Sequence, residues 1–255
     1  MNKEFGNFRG KAYIYAKYRP KYSKEYSKYL QNILSVQKDS VVVDIGAGTG
    51  IHTNVLTQIS NKVIAVEPDL EMLQQCIGAL ADKQKVTILQ GFAEDTGLPS
   101  ACADYITVAQ AFHLFNQEKS LLEFKRVLRS NGNLILVWNS KEQDNVLFYD
   151  NESIIRKYCP RYRREIHARS FFQDSYKDCF TPESYTYRRI SRDSTELLDK
   201  QTFIMRTLSA SYAIVPEDKN YTNLVEELGQ VFDKHSMNGV VEVPQSSVIY
   251  HGNIK

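Results

Sequence analysis

The sequence predicts an α/β fold: a doubly wound, mostly parallel sheet of seven strands, the last antiparallel, with a helical cap. Three observations carry this. Between Val41 and Trp138, five short apolar runs alternate with helical stretches. After Trp138 the alternation stops, and residues 140–238 read as mostly helical apart from a strand at Ser184–Ile190. A late strand, Val240–Ile254, follows, with Pro244 near its start. Strands apolar on both faces that alternate with helices form parallel β-α units, and the helices cover both faces of the sheet.

The first forty residues are basic and rich in tyrosine. In the first thirty, Lys3, Arg9, Lys11, Lys17, Arg19, Lys21, Lys24 and Lys28 face only Glu4 and Glu25. Arg19-Pro20 divides two short helices, because proline disfavours the helical region for the residue before it. Val41–Ile45 is then a strand, followed at once by glycines and a helix over Ile51–Ile59. Lys62–Val66 is a strand, Asp69–Ala81 a helix, and Val86–Gln90 and Asp104–Ala109 further strands. Lys119–Leu128 is helical, with Leu121, Phe124, Val127 and Leu128 on one face and Asn131-Gly132 as its stop signal. Asn133–Trp138 is the fifth strand. The organisation expected is an N-terminal helical lid over 1–40, a ligand-binding α/β core over 41–139, and a helical cap with the final strands over 140–255.

Composition narrows the function. A chain of 255 residues, 42% of them hydrophobic, buries one substantial core. With 32 basic and 30 acidic residues the net charge is +2, which argues against a nucleic-acid partner. The four cysteines, Cys76, Cys102, Cys159 and Cys179, lack CxxC spacing and accompanying histidines, so no metal site is expected and they read as reduced thiols. No export signal and no run of about 18 apolar residues is present, which points to a cytoplasmic protein without a membrane span.

The chemistry concentrates at Asp44-Ile45-Gly46-Ala47-Gly48-Thr49-Gly50. Glycines at 46, 48 and 50 let the backbone turn sharply and approach a ligand. A dinucleotide turn is GxGxxG, whereas here the third glycine comes one position early and Ile51 takes the place of the small residue. Glu67 ends the next strand in Val63-Ile64-Ala65-Val66-Glu67-Pro68-Asp69, about 20 residues on, where a carboxylate accepts from both ribose hydroxyls. The ligand is an adenosine-like molecule.

These motifs resemble the class I S-adenosylmethionine-dependent methyltransferases. VVVDIGAGTG resembles the family's first motif, VIAVEPD its acidic strand end, GFAEDTGLP its adenine loop, and FKRVLRSNGNLIL the helix and strand after it. The resemblance implies a Rossmann-like fold and S-adenosylmethionine as cofactor, with S-adenosylhomocysteine as product. It implies that Asp44 and the backbone at Gly46 hold the amino-acid end, Glu67 the ribose hydroxyls, and the loop Gly91–Glu94 the adenine, with Ala47, Gly48, Gly50 and Pro68 also against the cofactor. Many members carry an acidic residue where Phe92 stands; adenine recognition then falls to Phe92 packing, the Ala93 amide or Glu94.

Within the family the chain is most similar to the trans-aconitate methyltransferase branch of small-molecule enzymes. Tyr15-Ala16-Lys17-Tyr18-Arg19-Pro20-Lys21-Tyr22 looks like that branch's YxxYRPxY segment, and Ala109-Gln110-Ala111-Phe112-His113-Leu114-Phe115 like its AQAxHWF segment. This implies that Tyr18 or Arg19 lies near the cofactor carboxylate and that Gln110 lines the site. Leu114 replaces the usual Trp, where an acceptor could pack.

Methyl transfer from a sulfonium needs positioning and water exclusion rather than a protein nucleophile. His113, after the fourth strand, is the candidate base if the acceptor must lose a proton. The basic run Arg161, Arg163, Arg164, His167 and Arg169 would suit an anionic carboxylate acceptor, or, with Arg188, Arg189 and Arg192, the phosphates of an RNA. The expected activity is methyl transfer to a small molecule. A non-catalytic S-adenosylmethionine-binding protein, an RNA methyltransferase and a nicotinamide-dependent oxidoreductase are the alternatives.

Overall fold

The computed structural model describes residue 8 and residues 10–141, 145–163, 173–191 and 195–255. Lys3, Glu4, Arg9, Arg164, His167, Arg169 and Arg192 lie outside these.

Two short helices come first, α1 (Ala12–Tyr18) and α2 (Lys24–Asn32). Arg19 ends α1 with extended backbone (φ −68°, ψ 144°), as its place before Pro20 requires, and the Ser23 side chain caps α2 by accepting from the Tyr26 amide. The α/β run follows: β1 (Val41–Ile45), α3 (Ile51–Ile59), β2 (Lys62–Val66), α4 (Leu70–Leu80), β3 (Val86–Leu89), β4 (Ala103–Ala109), α5 (Gln117–Val127) and β5 (Leu128–Lys141). Beyond it lie α6 (Val146–Tyr158), β6 (Thr186–Ser191), β7 (Glu196–Leu198), α7 (Lys200–Leu208), α8 (Tyr221–His235), β8 (Val241–Val243) and β9 (Gln245–Gly252).

Seven strands form one sheet in the order β3-β2-β1-β4-β5-β9-β6. β9 runs antiparallel to both β5 and β6, and the other pairings are parallel, so a single strand is reversed. The expected sheet is therefore present, with the last strand in sequence slotted between β5 and β6. One face buries Val43, Ile45, Ile106, Leu134, Leu136 and Tyr250 against Phe112 and Phe124. The other buries Val42, Ile135, Val137 and Ile249 against α2 and α3 through Tyr26, Leu30, Val55 and Leu56. Residues 42 and 43, or 134 and 135, thus point to opposite cores, which is why these strands read as unbroken apolar runs.

Two local expectations are corrected. The stretch 240–254 is not one strand: at Pro244, which has no N–H for the ladder, it divides into β8 and β9, and β8 pairs with β7 in a separate two-stranded sheet. The helix before β5 ends at Val127, where Leu128 is already extended (φ −68°, ψ 143°), so Asn131-Gly132 is not its cap. Those two residues lie where the β4–β5 register shifts, between the pairs Ala103–Leu128 and Tyr105–Asn133.

A crevice at the carboxyl ends of the strands

In an open α/β sheet, ligands gather beyond the carboxyl ends of the strands, where the order reverses; here that is between β1 and β4. Two cavities open there. The smaller holds about 540 Å³ and has Glu67, Pro68, Met72, Leu114 and Phe115 in its wall. The larger holds about 850 Å³ including its mouth, and Arg19, Tyr22, His52, Asn139, Arg206, Tyr212 and Gln245 are among its lining. Both are walled by Tyr15, Gly46, Gly48, Ala109 and Gln110, so they meet at a neck over the glycine turn.

The turn is built for that neck. Gly46, Gly48 and Gly50 have φ of 70°, 57° and 82°, in the region that L side chains avoid. A Cβ on Gly46 would stand 2.8 Å from that of Ala111, whereas one on Gly48 would meet nothing within 4 Å, leaving its open side to a ligand. The Gly48 amide donates to Glu67 Oε2 (2.7 Å) and the Asp69 amide to Oε1 (2.9 Å), which holds the carboxylate at the end of β2. Only 6% of Glu67 is exposed, and burial raises its carboxyl to about 7 while the two amides draw it down.

Asp44 lies beneath the turn, fully buried. Its oxygens accept from His52 Nδ1 (2.9 Å), Thr53 Oγ1 (2.6 Å) and Thr107 Oγ1 (3.1 Å), and it lines neither cavity. It braces the turn and the first residues of α3 from below. His52 passes this network on, its Nε2 meeting the Tyr26 hydroxyl at 2.8 Å, so both ring nitrogens of this cavity-lining histidine are engaged.

The structure gathers Arg19, Gly46, Ala47, Gly48, Glu67, Pro68 and Gln110 around the two cavities. Tyr18, Asp44, Gly50, Phe92, Ala93, Glu94 and His113 are in neither wall. Tyr18 is buried, and its carbonyl accepts from Arg206 Nε (3.0 Å). Gly50 faces α4, where an added Cβ would stand 3.0 Å from Cys76 Sγ. Phe92 is 43% exposed on a loop closed by its own bridge to Asp95, and Glu94 Oε1 accepts from the Asn116 amide (2.8 Å). His113 sits half-buried in the 3₁₀ turn Phe112–Leu114. Leu114 lines the smaller cavity, beside Phe115, and not the larger one.

Gln110 enters both walls through an unusual backbone, φ 62° for a residue with a Cβ; its amide donates to the Val137 carbonyl (2.9 Å) and its side chain meets the Tyr22 hydroxyl. Strain of this kind persists where the surroundings over-determine it and is concentrated at functional sites. Tyr15, Tyr22, His52, Asn139, Arg206, Thr207, Tyr212 and Gln245 were not foreseen. For Tyr15 and Tyr22 a signal was present: both belong to the YxxYRPxY segment, on either side of the Arg19-Pro20 break between α1 and α2. For the residues after 139, which reach the cavity from distant elements, the sequence carries no comparable signal.

The N-terminal segment runs over the crevice. Phe8 and Tyr15 line the smaller cavity and pack edge to face (5.4 Å between centroids), while the Gly10 amide donates to Glu71 Oε2 (2.7 Å) on α4. Lys11, buried, donates from Nζ to the carbonyls of Ala210 and Ala213. The described residues contain no cluster suited to a metal ion and no helix long and apolar enough to cross a membrane.

A reversed strand beside a parallel sheet, a glycine turn and a strand-end carboxylate facing a cavity define a nucleoside-binding doubly wound protein. The model of a family described as a methyltransferase domain matches residues 43–136. An uncharacterized methyltransferase of Mycobacterium tuberculosis is 32% identical over 237 residues, 92% of this chain and 88% of the relative. One of Schizosaccharomyces pombe is 29% identical over 208 residues, 79% and 77% of the two chains. Among solved structures, a candidate type II methyltransferase from Anaeromyxobacter dehalogenans shares the fold with a TM-score of 0.68 at 20% identity, covering 92% of this chain and 97% of that one. The chain belongs to the methyltransferase family, and is an enzyme of the kind that takes its methyl group from S-adenosylmethionine.

Proposed function

We propose that this chain transfers the methyl group of S-adenosylmethionine to a small-molecule acceptor, with the nucleoside in the smaller cavity, the methionine end at the neck and the acceptor in the larger cavity. The observation that carries this reading is the meeting of two unlike cavities over one glycine turn: Glu67 is on one side, and the larger one has no acidic wall residue among the described residues. Glu67 would accept from the ribose hydroxyls, and Gly46, Ala47 and Gly48 would approach the methionine end. The unpartnered Thr49 Oγ1, buried in the wall of the larger cavity, fits the same end. Arg19, 4.9 Å over the Tyr15 ring and without a carboxylate partner among the described residues, would pair with the cofactor carboxylate.

The cofactor supplies a methyl group on a cationic sulfonium, a good leaving group, so the protein's part is to align and to dry the site. Tyr15, Gln110 and Tyr22 form the neck, and we assign residues 10–40 the role of a lid and 140–255 that of a cap that shapes the acceptor side around the 41–139 core. Phe92, Ala93 and Glu94, in the loop after β3, are assigned to the adenine edge. Tyr18 and Gly50 act through what they hold, Arg206 and α4. His113 remains the candidate base for an acceptor that must lose a proton.

A carboxylate acceptor is supported by Arg19 if the cofactor leaves it unpaired. Of the basic run, Arg161 and Arg163 are exposed, and Arg163 turns back onto the carbonyls of Pro160 and Tyr162. Incubation with methyl-labelled S-adenosylmethionine and a metabolite extract, read by mass spectrometry, tests the reading. A labelled small molecule is expected; label found only in RNA, or cofactor binding without any transfer, would overturn it.

A further inference from the structure

The far end of the larger cavity contains a polar group that the fold leaves unsatisfied. Gln245 opens β9 just after Pro244, opposite Lys141 at the end of β5, and so stands on the ligand side of the sheet. It is 4% exposed and lines the cavity. Its Nε2 donates to Glu196 Oε2 (2.9 Å), which fixes the orientation of the amide: the reverse orientation would set two oxygens against each other. Its Oε1 is then buried with no partner among the described residues. A buried carbonyl left in this way is costly, and in a cavity wall it points to a ligand that completes it.

The surroundings limit what that ligand can offer. Arg206 pairs through both terminal nitrogens with the two oxygens of Glu196 (2.8 and 2.7 Å), so the two charges offset each other at this end of the cavity. S-adenosylmethionine bound as proposed would bring its sulfonium cation to the neck of the same cavity, which disfavours an ammonium group. What remains is a neutral donor. We infer that Gln245 is a specificity-determining residue, whose carbonyl oxygen accepts a hydrogen bond from an uncharged N–H or O–H group on the acceptor, at the end remote from the atom that is methylated.

This inference rests on the larger cavity being the acceptor site, and the test separates the two ideas. S-adenosylhomocysteine is first titrated into the wild-type chain and into Gln245→Met by calorimetry. The loaded proteins are then titrated with benzamide and with acetophenone, which match in shape and differ in the N–H donors. In the wild type benzamide is expected to bind about tenfold or more tightly than acetophenone. In Gln245→Met, with S-adenosylhomocysteine affinity retained, benzamide falls to the level of acetophenone. Equal affinities in the wild type, no binding of either probe, or a preference that survives in the variant overturns the role of Gln245 while the methyltransferase reading stands. Failure of the wild type to bind S-adenosylhomocysteine overturns that reading and this one with it.

Discussion

At Glu67, burial and hydrogen bonding pull in opposite directions, and burial prevails: the carboxyl is raised from 4.5 to about 7. The folded apo chain therefore binds more protons than the unfolded chain between about pH 4.5 and 7, so this group's contribution to stability falls as pH rises through that window. Cofactor binding runs the other way, since the ionised carboxylate is the better acceptor for two hydroxyls. S-adenosylhomocysteine affinity is expected to rise between pH 5.5 and 8, and Glu67→Gln to bind at least tenfold more weakly with that rise removed. Calorimetry at the two pH values checks this; an unchanged slope in the variant would remove Glu67 from the ribose. As the base for an acceptor that must lose a proton, His113 predicts that His113→Ala lowers turnover about a hundredfold or more with S-adenosylhomocysteine affinity kept; its turn is outside both cavity walls, and unchanged turnover would remove it from the chemistry. The residue type at 44 and 67 was legible in the motifs, but not its direction. Asp44 and Glu67 both end strands, yet one turns under the glycine turn and the other toward the cavity, and that depends on Thr53, Thr107 and His52 around Asp44.

The elements differ in how much of them the sequence announces. β1, α3 and β2 were read to the residue because an apolar run, glycines and a helical period follow one another without a gap. β7 and β8 have three residues each, too short to show a period, and Pro244, the signal of the break between β8 and β9, was read near the start of a single strand. The acceptor side suffers most from this, since Arg206, Tyr212 and Gln245 come from α7, the turn after it and β9, and the sequence does not show that these converge. Two elements invite tests. At Gly48 the positive φ and the open side mean that Gly48→Val strains the turn and fills the neck at once. Loss of measurable S-adenosylmethionine binding is expected with an unchanged circular dichroism spectrum; retained binding would move the cofactor elsewhere. α1 is held by Lys11, whose ammonium satisfies two buried carbonyls after α7. Lys11→Met leaves the Ala213 carbonyl without this donor, while that of Ala210 keeps the Ala213 amide (3.1 Å), at a cost of about 1–3 kcal/mol. Faster dissociation of S-adenosylhomocysteine by stopped flow is expected if α1 acts as a lid, and unchanged dissociation would make it a plain support.

Across the whole molecule the N-terminal segment, the sheet and the cap are joined by apolar packing, Tyr26 and Leu30 of α2 against the sheet and Ile14 of α1 against the cap, and by buried polar ties. Lys11 joins α1 to the turn after α7, and Arg206 joins α7 both to the Tyr18 carbonyl and to Glu196 on β7. These ties surround the crevice, so a ligand that fills it bears on segments far apart in sequence, and a single cooperative thermal transition is expected with and without ligand. Saturation at a hundredfold over Kd adds about 2.7 kcal/mol. For a chain of this size each kcal/mol raises Tm by about 2–4 °C, so S-adenosylhomocysteine should raise it by about 5–10 °C. NAD should not, because Gly50 packs against Cys76 on α4 and Ile51 takes the place where a dinucleotide turn carries a small residue. Scanning fluorimetry with each ligand at the same concentration distinguishes them, and a shift with NAD alone would overturn the assignment of the crevice. A shift with S-adenosylhomocysteine that splits the transition in two would show instead that the cap unfolds independently of the sheet, and the ties at Lys11 and Arg206 would then be too weak to couple them.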